Sequence, residues 1–366
     1  MAHRKFVACG IIPWIMRRGS PALKYDRCLM SSVDLADPHW FLADYLPGSD
    51  RWRMLRLELD ALGDASFLDD RLQTSGAPEA LIDAAGVDAA TPAQSPAFVF
   101  HTAFCGSTLL ARALHSPPHA VALKEPLALL TLAIAAAATS DADDQCRIDA
   151  RLATVLALLG RGWSPTGRTL IKPTNQVNSL IGRILALQPG SRAILLYSSL
   201  EQFVVSCFEK LPLAETRIRW MAQHLLVGSN LSARLGIPPR HPFSLPEACV
   251  FTWYAQMERY ANALHRDHAD RLRTLDLDTL QASPARTVEA AARWLALTAP
   301  SAAHIDAVFR RDAKATRKSY DPVERQSGKA LVRQRHGEVI QRTLAWADAT
   351  IAPHVSLPVR WKPLLG

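Results

Sequence analysis

The sequence predicts an α/β protein with a central parallel sheet flanked by helices and an N-terminal extension. Three observations carry this. Ala97, Phe98, Val99 and Phe100 form a short apolar run, and Leu109, Leu110, Ala113 and Leu114 then recur at helical spacing, so the period changes from strand to helix within 101–107. Further apolar runs at 120–124, 169–172 and 193–197 alternate with helical patterns, as a parallel sheet with crossover helices requires. A length of 366 residues with 49% hydrophobic content can enclose a large core. The expected division is a mixed α/β extension over 1–95 and a main domain over 96–366 that ends in a basic segment and a helix.

At the start of the chain, Arg4 and Lys5 precede an apolar run over 6–16. Pro13 and Trp14 interrupt it, Arg17 and Arg18 follow, and no small-x-small cleavage site appears, which argues against a secretory signal. The run is also too short to span a bilayer. Trp40, Phe41, Leu42, Tyr45 and Leu46 come next, and the alternation of Leu55, Leu57 and Leu59 reads as a strand. Residues 66–72 read as a short helix. The stretch 73–96, rich in Ala, Gly, Pro, Thr and Ser, sets the boundary near 95. These residues contain no chemical motif.

The strand, tight loop and helix of 96–114 have the layout of a phosphate-binding loop. Backbone N–H groups at a helix start converge on an anion, the helix dipole adds partial positive charge, and Gly106 permits close approach. Gly106, Ser107 and Thr108 fill the last three places of the nucleotide-binding pattern, but Ser107 replaces its lysine and His101 its first glycine. That disfavours an ATPase or kinase loop. A plain strand-turn-helix without a ligand stays open. A helix start lowers a thiol pKa, yet Cys105 has no evident partner for covalent chemistry and reads as a small loop residue.

The second strand, 120–124, ends in Lys124, Glu125 and Pro126, and helical stretches on either side of a polar 139–145 follow. The third, 169–172, ends in Lys172, Pro173, Thr174 and Asn175, with helical spacing over 177–187. The fourth, 193–197, runs into Ser198 and Ser199. Ser244 and Glu247 form a capping box for a helix to His265 whose aromatic stripe (Trp253, Tyr254, Tyr260) reads as core. A late strand and turn over 271–280 precede Ser283, an N-cap candidate with Pro284 at the first helical position. The region 310–335 holds nine Lys or Arg against three acids, and Leu331, Ile340, Leu344 and Ala347 mark an amphipathic helix from Lys329.

A net charge of +8 and a pI near 9.4 suit an anionic partner. The basic segment lacks the aromatic interleaving of a single-strand binder, so a phosphorylated small molecule is expected rather than nucleic acid. Six scattered cysteines with neither a CxxC pair nor histidines at zinc spacing read as reduced thiols of a cytoplasmic protein without a metal.

Four ordered segments across roughly 97–300 resemble the P-loop sulfotransferase family. They are the loop ending in Gly-Ser-Thr-Leu-Leu without the Walker lysine, the turn at 172–175, the strand and helix of 185–209 in which Ser206 matches the family's serine, and the late strand, turn and helix up to Leu297. The resemblance implies a P-loop NTPase-like sheet. It also implies transfer of a sulfuryl group from 3′-phosphoadenosine 5′-phosphosulfate (PAPS) to a hydroxyl or amine of a small-molecule or peptide acceptor. Phe104, Cys105, Gly106, Ser107, Thr108 and Leu109 would then hold the 5′-phosphosulfate. Ser198 and Ser206, with Lys314, Arg317 and Lys318, would hold the 3′-phosphate.

Glu125 is the expected base, His101 the alternative, and Lys172 is expected to stabilise the sulfuryl oxygens. Structural readings stand beside these: Glu125 pairing with Lys124 or capping a helix, His101 satisfied at a strand edge, Lys172 exposed at a strand end. Two family cations are missing, because Phe104 stands where Lys or Arg is usual and Ser198 where an arginine is. Two other classes therefore stay open: a degenerate, non-catalytic nucleotide- or partner-binding protein, and a nucleotide-dependent phosphotransferase.

Overall fold

Residues 33–72, 76–85, 87, 95–227, 229–310, 322–355, 357 and 362–365 are described by a computed structural model. Met1–Asp34 and Leu35–Gly366 are two units, and Val33 and Asp34 are the described part of the first. The second unit opens with a three-stranded antiparallel sheet, in the order β1 (Trp40–Leu46), β2 (Arg51–Arg56), β3 (Glu79–Asp83). Leu42, Trp52 and Met54 are fully buried on it. Between β2 and β3 lies a short helix, α1 (Leu59–Asp64), which buries Leu62.

Three local expectations are corrected here. The strand expected over 55–59 ends at Arg56, the last residue paired with β1, and Leu59 begins α1. The helix expected over 66–72 does not form. Leu68 N–H donates to the Lys124 carbonyl (2.7 Å) and its own carbonyl accepts from Leu127 N–H (3.2 Å), so the backbone groups a helix would use are bonded elsewhere. The stretch expected to be linker over 73–96 contains β3.

The main sheet consists of β4 (Ala97–His101), β5 (Ala120–Lys124), β6 (Arg168–Lys172), β7 (Ala193–Tyr197) and β8 (Leu272–Asp276), all parallel, in the spatial order β5-β6-β4-β7-β8. Every residue of β4 and β5 is buried, which explains the continuous rather than alternating apolar runs. Phe98 and Phe100 stack at 5.5 Å between centroids. Each such buried side chain stabilises the sheet by roughly 1.5–3 kcal/mol.

Helices α2 (Ser107–Ala113), α3 (Leu127–Ala138), α4 (Ala142–Leu159), α5 (Ile181–Leu187), α6 (Leu200–Glu209), α7 (Leu213–Leu226), α8 (Asn230–Arg234), α9 (Leu245–Leu264), α10 (Leu277–Ala282), α11 (Pro284–Leu295), α12 (Ala302–Phe309) and α13 (Pro322–Thr350) complete the unit. The helix expected over 177–187 divides into a 3-10 turn, Asn175–Leu180, and α5. The Ser244–Glu247 capping box is present, and α9 is buried well beyond its aromatic stripe, including Thr252 and Gln256. Ser283 occupies the N-cap of α11 without a side-chain cap bond. The last helix begins at Pro322, seven residues before the expected Lys329. Ile340 and Ala347 are buried on it, but Leu331 is 61% exposed.

Connections decide where a ligand fits. From β4 the chain crosses through α2 toward β5, while β7 leads the opposite way to β8, so the loops after these two neighbouring strands diverge. An open sheet binds its ligand in the crevice at such a switch point, outside the carboxyl ends of the strands.

Candidate functional site

After β4 the backbone turns sharply: Ala103 (φ 75°), Phe104 (φ 52°) and Gly106 (φ 79°) are all left-handed. For Ala and Phe that conformation is strained by about 1–3 kcal/mol each. Bonds around the loop hold it, with Thr102 N–H on the Leu196 carbonyl (3.2 Å) and Ala103 N–H on His101 Nδ1 (3.1 Å). At Gly106 a Cβ would lie 3.0 Å from Leu277 Cδ1 and 3.4 Å from Leu280 Cδ2, so both dihedral and packing demand glycine. Ser107, Thr108 and Leu109 are buried in the first turn of α2. The Cys105 side chain points into the core and donates to the Leu196 carbonyl (3.5 Å). Burial pushes its thiol pKa up, against the lowering expected at a helix start.

Glu125 follows β5 with φ 58°, and its N–H donates to the Lys172 carbonyl (2.7 Å). Register pairs Lys124 with Lys172 across β5 and β6, and the two ammonium groups find different partners. Lys172 Nζ donates to Glu125 Oε1 at 2.5 Å, while Arg71 Nη2 donates to Oε2 at 3.2 Å. His101 Nε2 lies 3.8 Å from Oε1. Burial alone would raise the Glu125 pKa, but Lys172 first, then His101 and Arg217, hold it down at about 2. Because His101 Nδ1 accepts the Ala103 N–H, a neutral His101 carries its proton on Nε2, toward Glu125.

Lys124 turns the other way and donates to the carbonyls of Leu62 (3.0 Å) and Gly63 (2.8 Å) at the end of α1. The pairing of Glu125 with Lys124, and an exposed Lys172, are thereby replaced by an enclosed Glu125–Lys172 pair. Burial, then Arg112 and Lys172, lower the Lys124 pKa to about 7 despite Asp64. In the unfolded chain this lysine keeps its proton up to the usual 10.5, so between pH 7 and 10.5 the unfolded state binds more protons and stability rises with pH. Urea denaturation at pH 7 and 9 is expected to show wild type gaining roughly 2 kcal/mol more than Lys124→Met. Parallel curves for the two proteins would refute the assignment.

Beyond β7, Ser199 caps α6 in a capping box with Gln202. Ser198 is fully enclosed; its carbonyl accepts from Trp253 Nε1 (2.9 Å) and its hydroxyl has no partner among the described residues. Ser206 is also enclosed, one helical turn before Lys210. The Phe104 ring meets Phe203 edge-on at 5.6 Å, and Lys210 Nζ stands 4.8 Å from its centroid. Buried polar residues of α9 and the 3-10 turn brace both strand ends from below: Asn178 Nδ2 donates to the His101 carbonyl (3.1 Å) and to Gln256 Oε1 (2.7 Å), and Tyr260 donates to the Leu196 carbonyl (3.1 Å).

The solved structures this chain is similar to include two sulfotransferases. One is the sulfotransferase domain from the curacin biosynthetic pathway, 14% identical, with 73% of this chain and 100% of that chain covered and a TM-score of 0.40. Another is a sulfotransferase from Alicyclobacillus acidocaldarius, also 14% identical, with 72% and 98% covered and a TM-score of 0.37. No family model and no curated protein matches the chain.

Of the residues singled out in the sequence, the structure brings His101, Glu125 and Lys172 together, beside the loop of Phe104–Thr108 that follows His101. Ser198 and Ser206 lie on the β7 side. Lys314, Arg317 and Lys318 lie outside the described residues. Sequence reasoning missed Arg71, which is stacked over Phe67 at 3.5 Å and forked on Asp69. It also missed Lys210, although spacing of four from Ser206 places it on the same helical face. Among the described residues no group of three or more His, Cys, Asp or Glu is arranged to hold a metal ion. No described helix is long and apolar enough to cross a membrane.

Proposed function

We propose that this chain is a sulfotransferase-like enzyme that moves a sulfuryl group from PAPS to a hydroxyl or amine of a small-molecule or peptide acceptor. The observation that supports this most is the convergence, at the carboxyl edge of one parallel sheet, of the left-handed loop after β4 and the enclosed Glu125–Lys172 pair. The loop suits an anion: its glycine is required by packing as well as by dihedral, and the N–H groups of Phe104–Thr108 would hold the 5′-phosphosulfate with the Ser107 and Thr108 hydroxyls. Toward the 3′-phosphate, the Ser198 hydroxyl, which has no partner among the described residues, is a candidate contact. PAPS supplies the activated sulfuryl group.

The chain's own residues supply position and charge. Glu125 stays ionised above about pH 2, so it accepts a hydrogen bond from the acceptor across the physiological range. Its low basicity makes proton transfer late, after bond formation to sulfur has acidified the acceptor's proton. Lys172, fixed on Glu125, brings positive charge to the developing charge on the sulfuryl oxygens. His101, with its remaining proton directed at Glu125, orients the carboxylate rather than competing as base.

A second reading, a nucleotide- or partner-binding protein without catalysis, is favoured by Phe104 and by Ser198 packed under Trp253. Ser107 in the lysine's place disfavours the phosphotransferase. Calorimetric titration with adenosine 3′,5′-bisphosphate, with ATP and magnesium as the control, tests which nucleotide the site takes, and turnover of PAPS in a protein that binds the bisphosphate separates catalysis from binding alone. Micromolar binding of the bisphosphate alone, about −8 kcal/mol, is expected. Binding of ATP alone would favour the phosphotransferase, and silence with both the non-catalytic reading.

A further inference from the structure

We infer that Lys210 supplies the positive charge at the 5′-phosphosulfate end of the site that the loop itself lacks. This rests on the sulfotransferase-like reading. Phe104 brings an aromatic ring, not a cation, to the loop just before Gly106, and that ring lies against Phe203 of α6. From the end of the same helix Lys210 reaches back, with Nζ 4.8 Å from the Phe104 centroid. The cation thus stands over the side chain of the position from which the loop would otherwise supply its own.

Two other cations near the loop, Lys172 and Arg71, have firmer commitments. Lys172 is 1% exposed and bonded to Glu125 at 2.5 Å, and Arg71 is forked on Asp69 while also holding Glu125. Lys210 is 37% exposed, with contacts at the outer limit of hydrogen bonding: the Ser206 carbonyl and Glu209 Oε2, both at 3.4 Å. Neither anchors it strongly. An ammonium on a flexible four-carbon stem, resting on the aromatic face of a loop residue, can exchange those contacts for phosphate oxygens with little lost. The contact with Phe104 also keeps it near the loop before a ligand arrives.

The test is calorimetric titration of wild type, Lys210→Gln and Lys210→Arg with adenosine 3′,5′-bisphosphate, adenosine 5′-monophosphate and adenosine 3′-monophosphate. Lys210→Gln is expected to weaken the bisphosphate and the 5′-monophosphate roughly ten- to hundred-fold, the range of a charge-assisted contact, and to leave the 3′-monophosphate unchanged. Lys210→Arg is expected to stay within a few-fold of wild type, and equal melting temperatures for all three proteins would exclude a fold defect. Equal bisphosphate affinity in wild type and Lys210→Gln overturns the inference while leaving the parent reading intact. So does a loss confined to the 3′-monophosphate. If wild type binds none of the three nucleotides, both fall together.

Discussion

Glu125→Gln is expected to abolish the proposed sulfuryl transfer, to leave affinity for adenosine 3′,5′-bisphosphate within a few-fold of wild type, and to cost the fold roughly 3 kcal/mol at pH 7. The first two effects follow from position: the carboxylate sits at the end of β5, bonded to Lys172 and Arg71, and not in the loop that would hold the nucleotide. The third follows from charge. Lys172 is fully enclosed, and an amide in place of its partner leaves an ammonium ion buried without a counter-charge.

The stability effect has its own pH signature. The native Glu125 pKa of about 2 lies below the usual 4.5, so between those values the unfolded chain binds the extra proton. The contribution is therefore complete above about pH 4.5 and is lost as pH falls toward 2. Urea denaturation of both proteins at pH 7 and pH 3 is expected to show the wild-type advantage shrinking to about 1 kcal/mol at the lower pH. Full transfer activity in Glu125→Gln would remove the catalytic assignment. An advantage independent of pH would remove the electrostatic one.

Much of the main sheet was legible because four of its five strands contain a short apolar run bounded by turn residues. β4, β5, β6 and β7 fall within one residue of the runs that predict them, and the change of period after Phe100 locates α2. β3 was hidden because none of its residues is fully buried, so no alternation marks it. The conformation of 66–72 was hidden for another reason: its backbone bonds run to Lys124 and Leu127, far along the chain, and local propensity carries no record of that.

The candidate site divides along the same line. Residue type and order singled out His101, Gly106, Glu125 and Lys172 as candidates, but not which charge meets which. Two lysines end adjacent strands in register, and nothing local says that Lys172 takes Glu125 while Lys124 takes the carbonyls of α1. Arg71 comes to Glu125 from 54 residues away. Lysines at strand ends ordinarily read as exposed. Here both are enclosed: Lys172 meets the Glu125 carboxylate, and Lys124 meets carbonyls supplied by a segment without a motif.

Gly106→Val is expected to bring binding of adenosine 3′,5′-bisphosphate below detection. A β-branched residue at φ 79° is a conformational outlier, and its Cβ would stand 3.0 Å from Leu277 Cδ1 and 3.4 Å from Leu280 Cδ2. Both leucines are fully buried, so α10 cannot yield without disturbing the contact between sheet and helices, and the loop must move instead. Ala103→Gly is the matched control. It lies in the same turn at φ 75°, where glycine relieves strain, and it is expected to keep both affinity and melting temperature close to wild type. If the loop cradles an anion through its backbone, only the first change should matter. Unchanged affinity in a folded Gly106→Val protein would mean that the nucleotide binds elsewhere, and would detach the carboxylate–lysine pair from the function proposed for it.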